Sequence, residues 1–181
     1  MTLVLECVVL IALNGGTATS HTVFEAVCPH PSLAHSIQMA SISAPFILGV
    51  TVMVLSAAIR IWCYRTLGSL FTFEVSIKPK HTLITSGPYQ YVRHFSYTGC
   101  VSMLLGAAIT CLVPGSYINE CGLMQTPARY FIRSWEVIAV FASLSLWRRV
   151  NAEEEGLRKA FGREWEAYCQ DVPYQFVPFV Y

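Results

Sequence analysis

The sequence predicts an all-α integral membrane protein, a bundle of about three to four transmembrane helices with a cytosolic amphipathic helix at the C-terminal end. Three observations predict it. The 181 residues are 54% hydrophobic and only 13% charged, against about 25% charged in soluble domains. Apolar runs recur at the length a bilayer core requires, about 20 residues. The lysines and arginines gather in two blocks that leave most of those runs uncharged. A mean hydropathy of +0.49 agrees, and a chain of this length fits one domain.

The first apolar run, Leu3 to Leu13, has no Lys or Arg before it. A cleaved signal normally begins with a basic stretch, so this run reads as a membrane segment or its remnant. The clearest span is Ile42 to Cys63, with Arg60 near its end, where a long side chain can snorkel to the headgroups. A second span runs from Tyr97 to Val113 and is broken by Pro114-Gly115. The third runs from Tyr130 to Trp147. It carries Arg133 and Glu136, three apart and able to pair on one helix face. Val150 to Gln170 is polar, but Leu157, Phe161, Trp165 and Tyr168 form one apolar stripe at helical spacing. It reads as a separate cytosolic helix, ended by Pro173 and Pro178.

Charge gives the orientation. Of the 12 Lys and Arg, five fall between Arg60 and Arg93 and five between Arg148 and Arg163, while residues 1–59 have none. Both blocks then face the cytosol, and the two spans between them return the chain to the same side. A net charge of +1 and the lack of a basic patch interleaved with aromatics exclude a nucleic-acid partner. The seven cysteines (Cys7, Cys28, Cys63, Cys100, Cys111, Cys121 and Cys169) contain no C-x-x-C pair, so no metal is expected. Most read as small apolar fillers, and one disulfide, Cys111 to Cys121 on the lumenal side, is allowed for.

Two stretches carry chemistry. His81 to Gly99 has a Ser86-Gly87-Pro88 turn and then packs Tyr89, Tyr91, Arg93, His94, Ser96 and Tyr97 into nine residues at a membrane boundary. Aromatic rings can stack on an adenine, and hydroxyls and imidazole can bind ribose or carboxylate. An interfacial aromatic belt has the same composition. In Arg148 to Gly162, Arg149 and Glu153 share a helix face. An arginine just past a span can grip a carboxylate through two parallel hydrogen bonds, and a glutamate can hold an ammonium group. A solvated helix laced with ion pairs would look alike. No strand with a glycine-rich turn surrounds Gly15-Gly16, so a nucleoside cofactor would bind by another route.

Together the stretches resemble the isoprenylcysteine carboxyl methyltransferase family. The pattern H-T-L-[IV]-T-S-G-x-Y-x-x-x-R-H-x-S-Y-x-G is present as His81 to Gly99, and R-x-x-x-E-E-x-x-L-x-x-x-F-G as Arg149 to Gly162. Trp165, Tyr168, Val172, Pro173 and Pro178 continue the family's C-terminal pattern. The resemblance covers roughly residues 60–181, which implies a single membrane methyltransferase domain over 1–181. Residues 60–181 would be its catalytic core and residues 1–59 its divergent N-terminal spans.

The resemblance implies S-adenosylmethionine as cofactor. It implies prenylated CaaX-type proteins as partners and the carboxylate of a prenylated cysteine as methyl acceptor. The location implied is the endoplasmic reticulum membrane, with the active site facing the cytosol. His81, Thr82, Leu83, Ile84, Tyr89, His94, Phe95, Ser96, Tyr97 and Glu153 are the implied cofactor residues. Arg149 is the implied substrate residue, and Arg149 and Glu153 are the expected catalytic pair. Phe95 stands where the family has proline, and proline fixes φ, so a looser turn is expected there. Two alternatives stay open. A methyltransferase of this scaffold acting on a phospholipid amine or other small lipophilic acceptor would not need Arg149, and a non-catalytic relative would bind no cofactor.

Overall fold

The computed structural model describes residues 43–70 and 82–177, together with positions 7, 8, 11, 22, 27 and 28. His81 and most of the Leu3 to Leu13 run lie outside the described residues. The described residues are helical and contain no strand.

Helix α1 is Ala44–Leu67. Ser43 starts it by accepting the Phe46 amide on Oγ at 3.3 Å, a side-chain N-cap followed by Pro45 within the first turn. The helix continues four residues beyond the expected Cys63, because no breaker intervenes until Gly68, whose φ is +52°. Helix α2, Phe95–Leu112, ends as expected before Pro114-Gly115. Asn119 Nδ2 then donates to the carbonyls of Leu112 and Val113 at 2.7 and 2.9 Å, satisfying groups the helix end would otherwise leave open. Helices α1 and α2 are the two among the described residues long and apolar enough to cross a membrane. A short helix α3, Tyr117–Glu120, follows.

Helix α4, Ala128–Phe161, corrects the expected division between a third span and a separate cytosolic helix. The chain runs through Trp147–Val150 without interruption for 34 residues, about 51 Å at 1.5 Å per residue. Nothing between Trp147 and Val150 can stop a helix, since the segment holds neither glycine nor proline. The break comes at Gly162, whose φ of +51° a side chain would resist. Helix α5, Arg163–Asp171, then buries Trp165 and Tyr168.

The chain divides into two compact units. The first comprises Met1–Met53 and Leu104–Ala139. Its core is Cys28, Cys111, Tyr117, Ile118, Cys121, Leu123 and Ile132. Cys121 is disulfide-bonded to Cys28, and Cys111 is buried in the same core outside that bond. The Cys111–Cys121 bond that the sequence allowed for does not form, because chain proximity did not decide the pairing. Tyr117 also donates its hydroxyl to the Val27 carbonyl at 2.6 Å, beside the bond. Elsewhere in this unit Gly49 and Gly106 let two backbones touch. A methyl group on Gly49 would lie 2.2 Å from Thr110 Oγ1 and 2.8 Å from the Gly106 carbonyl oxygen. Small residues allow such close approach between helices in a bilayer.

The second unit comprises Val54–Met103 and Val140–Tyr181. Trp165, Tyr168 and Val172 form its buried cluster, with Leu83, Leu157, Phe161 and Cys169 packed against it. The expected stripe of Leu157, Phe161, Trp165 and Tyr168 thus faces one core, each full burial contributing roughly 1.5–3 kcal/mol. The described site residues all lie in this unit.

Candidate functional site

The site begins with a turn. Gly87, at φ +64°, opens a short 3-10 segment Gly87–Gln90. A side chain there would press on Thr66, 3.0 Å away at Oγ1. Tyr89 is buried, and its carbonyl accepts the Tyr168 hydroxyl at 2.7 Å. Burial first, and then the charge interaction with Cys63, push the Tyr89 hydroxyl far above its ordinary range. It stays a protonated donor. Leu83 joins the Trp165 cluster, Ile84 is half-buried, and Thr82 is exposed.

The chain then enters α2 at Phe95. The His94 carbonyl accepts the amides of Tyr97 and Thr98 at 2.9 and 3.3 Å. The amides of Arg93 and His94 donate to the carbonyls of Tyr174 and Gln175 at 3.0 and 2.9 Å. Phe95 takes the first helical position, where proline's fixed φ is useful but not required, and the C-terminal tail holds the preceding residues. At Ser96 the backbone carbonyl accepts Arg60 Nη1 at 3.2 Å. Arg60 also contacts the Cys100 sulfur and the Tyr64 hydroxyl.

Tyr97 joins the two residues the sequence placed one helical turn apart. Its hydroxyl donates to Glu153 Oε2 at 2.7 Å and accepts Arg149 Nε at 2.9 Å. Arg149, Glu153 and Tyr97 therefore meet at one oxygen, although 52 residues separate Arg149 from Tyr97. The His94 ring lies 5.8 Å from that of Tyr97 and 6.3 Å from that of Phe176, and Phe176 stacks on Trp147 at 5.1 Å.

A second carboxylate was not singled out from sequence. Glu154 Oε1 accepts Arg93 Nε at 3.0 Å and His94 Nε2 at 3.1 Å, and its Oε2 accepts Gln175 Nε2 at 3.0 Å. Burial alone would raise its pKa. The His94 hydrogen bond and the Arg93 charge outweigh that and hold the carboxyl below its ordinary value. The signal available beforehand was the doublet Glu153-Glu154 itself. Consecutive helical residues point about 100° apart, so two adjacent acids reach two different partners. Phe176 and Gln175 carried no such signal. Among the described residues no group of His, Cys, Asp and Glu converges as a metal site.

The chain resembles known proteins over much of its length. The model of the isoprenylcysteine carboxyl methyltransferase (ICMT) family matches residues 47–125. Protein-S-isoprenylcysteine O-methyltransferase B of Arabidopsis thaliana is 31% identical over 134 residues, which is 73% of this chain and 58% of that protein. A probable protein-S-isoprenylcysteine O-methyltransferase of Oryza sativa subsp. indica is 31% identical over 139 residues, 74% of this chain and 61% of that protein. A Delta(14)-sterol reductase of Mus musculus is 30% identical over 99 residues, 55% of this chain and 20% of that protein. The chain thus spans less than two thirds of the length of these methyltransferases. No solved structure matches it.

Proposed function

We propose that this chain is a member of the isoprenylcysteine carboxyl methyltransferase family, a reading its similarity to that family's model and to two plant methyltransferases supports, and that it methylates the C-terminal carboxylate of a prenylated cysteine using S-adenosylmethionine. The observation that carries this reading is the Tyr97 hydroxyl shared by Arg149 and Glu153.

An α-carboxylate has a reference pKa of about 3.5 and is already ionised at neutral pH, so no general base is required. The cofactor supplies an electrophilic methyl group on a sulfonium. The residues present fit both ligands. Glu153 is half-buried and suits an ammonium group. Arg149 suits a carboxylate, which it can bind in parallel, two-bond fashion. Tyr97 fixes the spacing of the two side chains. That spacing is the alignment on which the rate depends, and such positioning supplies on the order of 7–11 kcal/mol in favourable cases. The rings of His94, Tyr97 and Phe176 suit a flat purine. His81, Thr82, Leu83, Ile84, Tyr89, Phe95 and Ser96 are assigned to the same pocket. Methyl transfer cancels opposite charges, so a site that keeps water out favours it.

In this reading residues 1–181 form one membrane methyltransferase domain, and the outer part of α4 is a third span. Its large apolar side chains, such as Val137 at 68% and Phe141 at 69% exposure, suit lipid better than water. The site then lies on the cytosolic face of the endoplasmic reticulum membrane, since the basic blocks flank it. The Cys28–Cys121 disulfide suits the opposite, oxidising side. The acceptor is a prenylated CaaX-type protein whose tail enters from the bilayer. Its product loses a negative charge and binds anionic membrane more readily.

The test is transfer of labelled methyl from S-adenosylmethionine to a farnesylcysteine analogue by the purified full chain in detergent. We expect transfer in the parent protein and its loss in Arg149→Ala. Folded, cofactor-binding protein that transfers nothing removes the reading. Transfer to a phospholipid amine or another small lipophilic acceptor that survives Arg149→Ala would select that acceptor instead. The match to a sterol reductase favours a second reading, a related membrane scaffold without methyl transfer. Calorimetry showing no binding of S-adenosylhomocysteine would select it.

A further inference from the structure

Glu154 gathers three segments of the second unit. It lies on α4 with its side chain 14% exposed, and its partners Arg93 and His94 are more deeply buried still, at 8% and 3%. Arg93 and His94 immediately precede α2, and Gln175 belongs to the C-terminal tail. Arg93 Nη1 extends the link by donating to the Val172 carbonyl at 2.7 Å. The tail is also held at Thr98, whose hydroxyl donates to the Phe176 carbonyl at 2.6 Å. Glu153, one residue earlier, grips Tyr97 at the other end of the same turn.

We infer that Glu154 is a positioning residue for the cofactor pocket: it orients His94 through Nε2 and clasps the Val172–Val177 tail against the turn that carries His94 and Tyr97. This rests on the function proposed above. An ionised carboxylate is acceptor-only, so its contact with His94 requires the proton on Nε2. In the neutral imidazole that leaves Nδ1 as the acceptor, the atom suited to a ligand hydroxyl or ammonium. Three donors converge on the two oxygens of Glu154, so the carboxylate is well matched to its surroundings and each arm is a charge-assisted bond. Glu154 itself need not touch a ligand. It sets where His94, Phe176 and, through the shared turn, Tyr97 stand.

Two readouts on the full chain in detergent test the inference. The first is amide hydrogen exchange at Arg93 and His94, whose N–H groups donate to the tail. The second is the affinity for S-adenosylhomocysteine, with KM and kcat where methyl transfer is measurable. Glu154→Gln keeps the shape but removes the charge. We expect exchange at Arg93 and His94 to rise about tenfold and cofactor affinity to fall about tenfold, with kcat at saturating cofactor within about threefold. Gln175→Ala removes only the tail arm, and we expect about a threefold change in the same exchange. It carries the test alone should Glu154→Gln fail to fold.

A lower melting temperature with exchange and affinity unchanged would overturn the inference, leaving Glu154 a purely structural residue. So would a fall in kcat with KM unchanged. A parent protein that transfers no methyl defeats the proposed function instead. The exchange comparison then still decides the clasp, because it needs no turnover.

Discussion

The two compact units hold themselves together by different means. Residues near 113–127 are joined by a covalent bond, Cys28 to Cys121, and elsewhere in that unit glycines touch too closely for any side chain to intervene. Residues near 93–98 are joined by a polar web in which Arg93, His94, Tyr97, Arg149, Glu153, Glu154 and Gln175 satisfy one another. A disulfide and a glycine contact do not depend on protonation or on a ligand. A buried polar network depends on every member, since an abandoned partner costs about 1–3 kcal/mol. The second unit has its geometry tied to the groups that would meet a ligand.

Five substitutions would break or sharpen that contrast. On the proposed function Arg149→Ala should have the largest effect, lowering methyl transfer by roughly 100- to 1000-fold, far more than the stability loss of about 1–3 kcal/mol expected from the Tyr97 hydroxyl it leaves behind. A parallel loss of folding would mean that the arginine is part of the scaffold. Cys121→Ser comes next. Opening a cross-link between positions 93 residues apart should cost roughly 2–4 kcal/mol. Thermal unfolding would register it, and turnover at 25 °C should stay within about twofold. If turnover collapsed with the bond, the disulfide would serve more than stability.

Gly49→Ala should cost about 1–3 kcal/mol, because the added methyl meets the Gly106 backbone and cannot push it aside. Gly99→Ala should cost less, since its nearest neighbour is Arg60 Cγ at 2.9 Å, part of a side chain that can shift. Comparing the two melting temperatures checks the order, and a reversal would place the tighter helix contact in the second unit. The smallest effect concerns acid. Glu154 is held below the ordinary carboxyl value of 4.5 because the His94 and Arg93 interactions outweigh burial. A depressed folded pKa stabilises above the unfolded value and is lost as pH falls through the folded one. The parent should therefore lose more stability than Glu154→Gln on going below about pH 4.5. Parallel melting curves would remove Glu154 from the account.

Much of the helix layout was legible in the chain. The first two spans were placed within four residues at each end, since Ser43, Gly68 and Pro114 mark their limits locally. The division of α4 was misread because a change from apolar to polar composition at Trp147–Val150 resembles a boundary. Polarity changes what surrounds a helix, but only glycine or proline changes its backbone, and Gly162 was the true break. At the candidate site, the shared helix face of Arg149 and Glu153 was legible from their spacing. Glu154 and the tail residues Gln175 and Phe176 were not, because their partners lie in other segments.

By itself the sequence determined the helical class, where the apolar helices lie, and which two stretches carry reactive side chains. Those properties follow from hydropathy, charge and turn residues, each of which acts within a few positions. The tertiary structure decided that Cys121 bonds Cys28 rather than Cys111, that one tyrosine oxygen joins Arg149 to Glu153, and that Glu154 gathers a turn and a tail. Most of these pairings cross 52 to 93 residues. Which side chains meet over such distances is set by how helices and loops pack, and no local pattern encodes that.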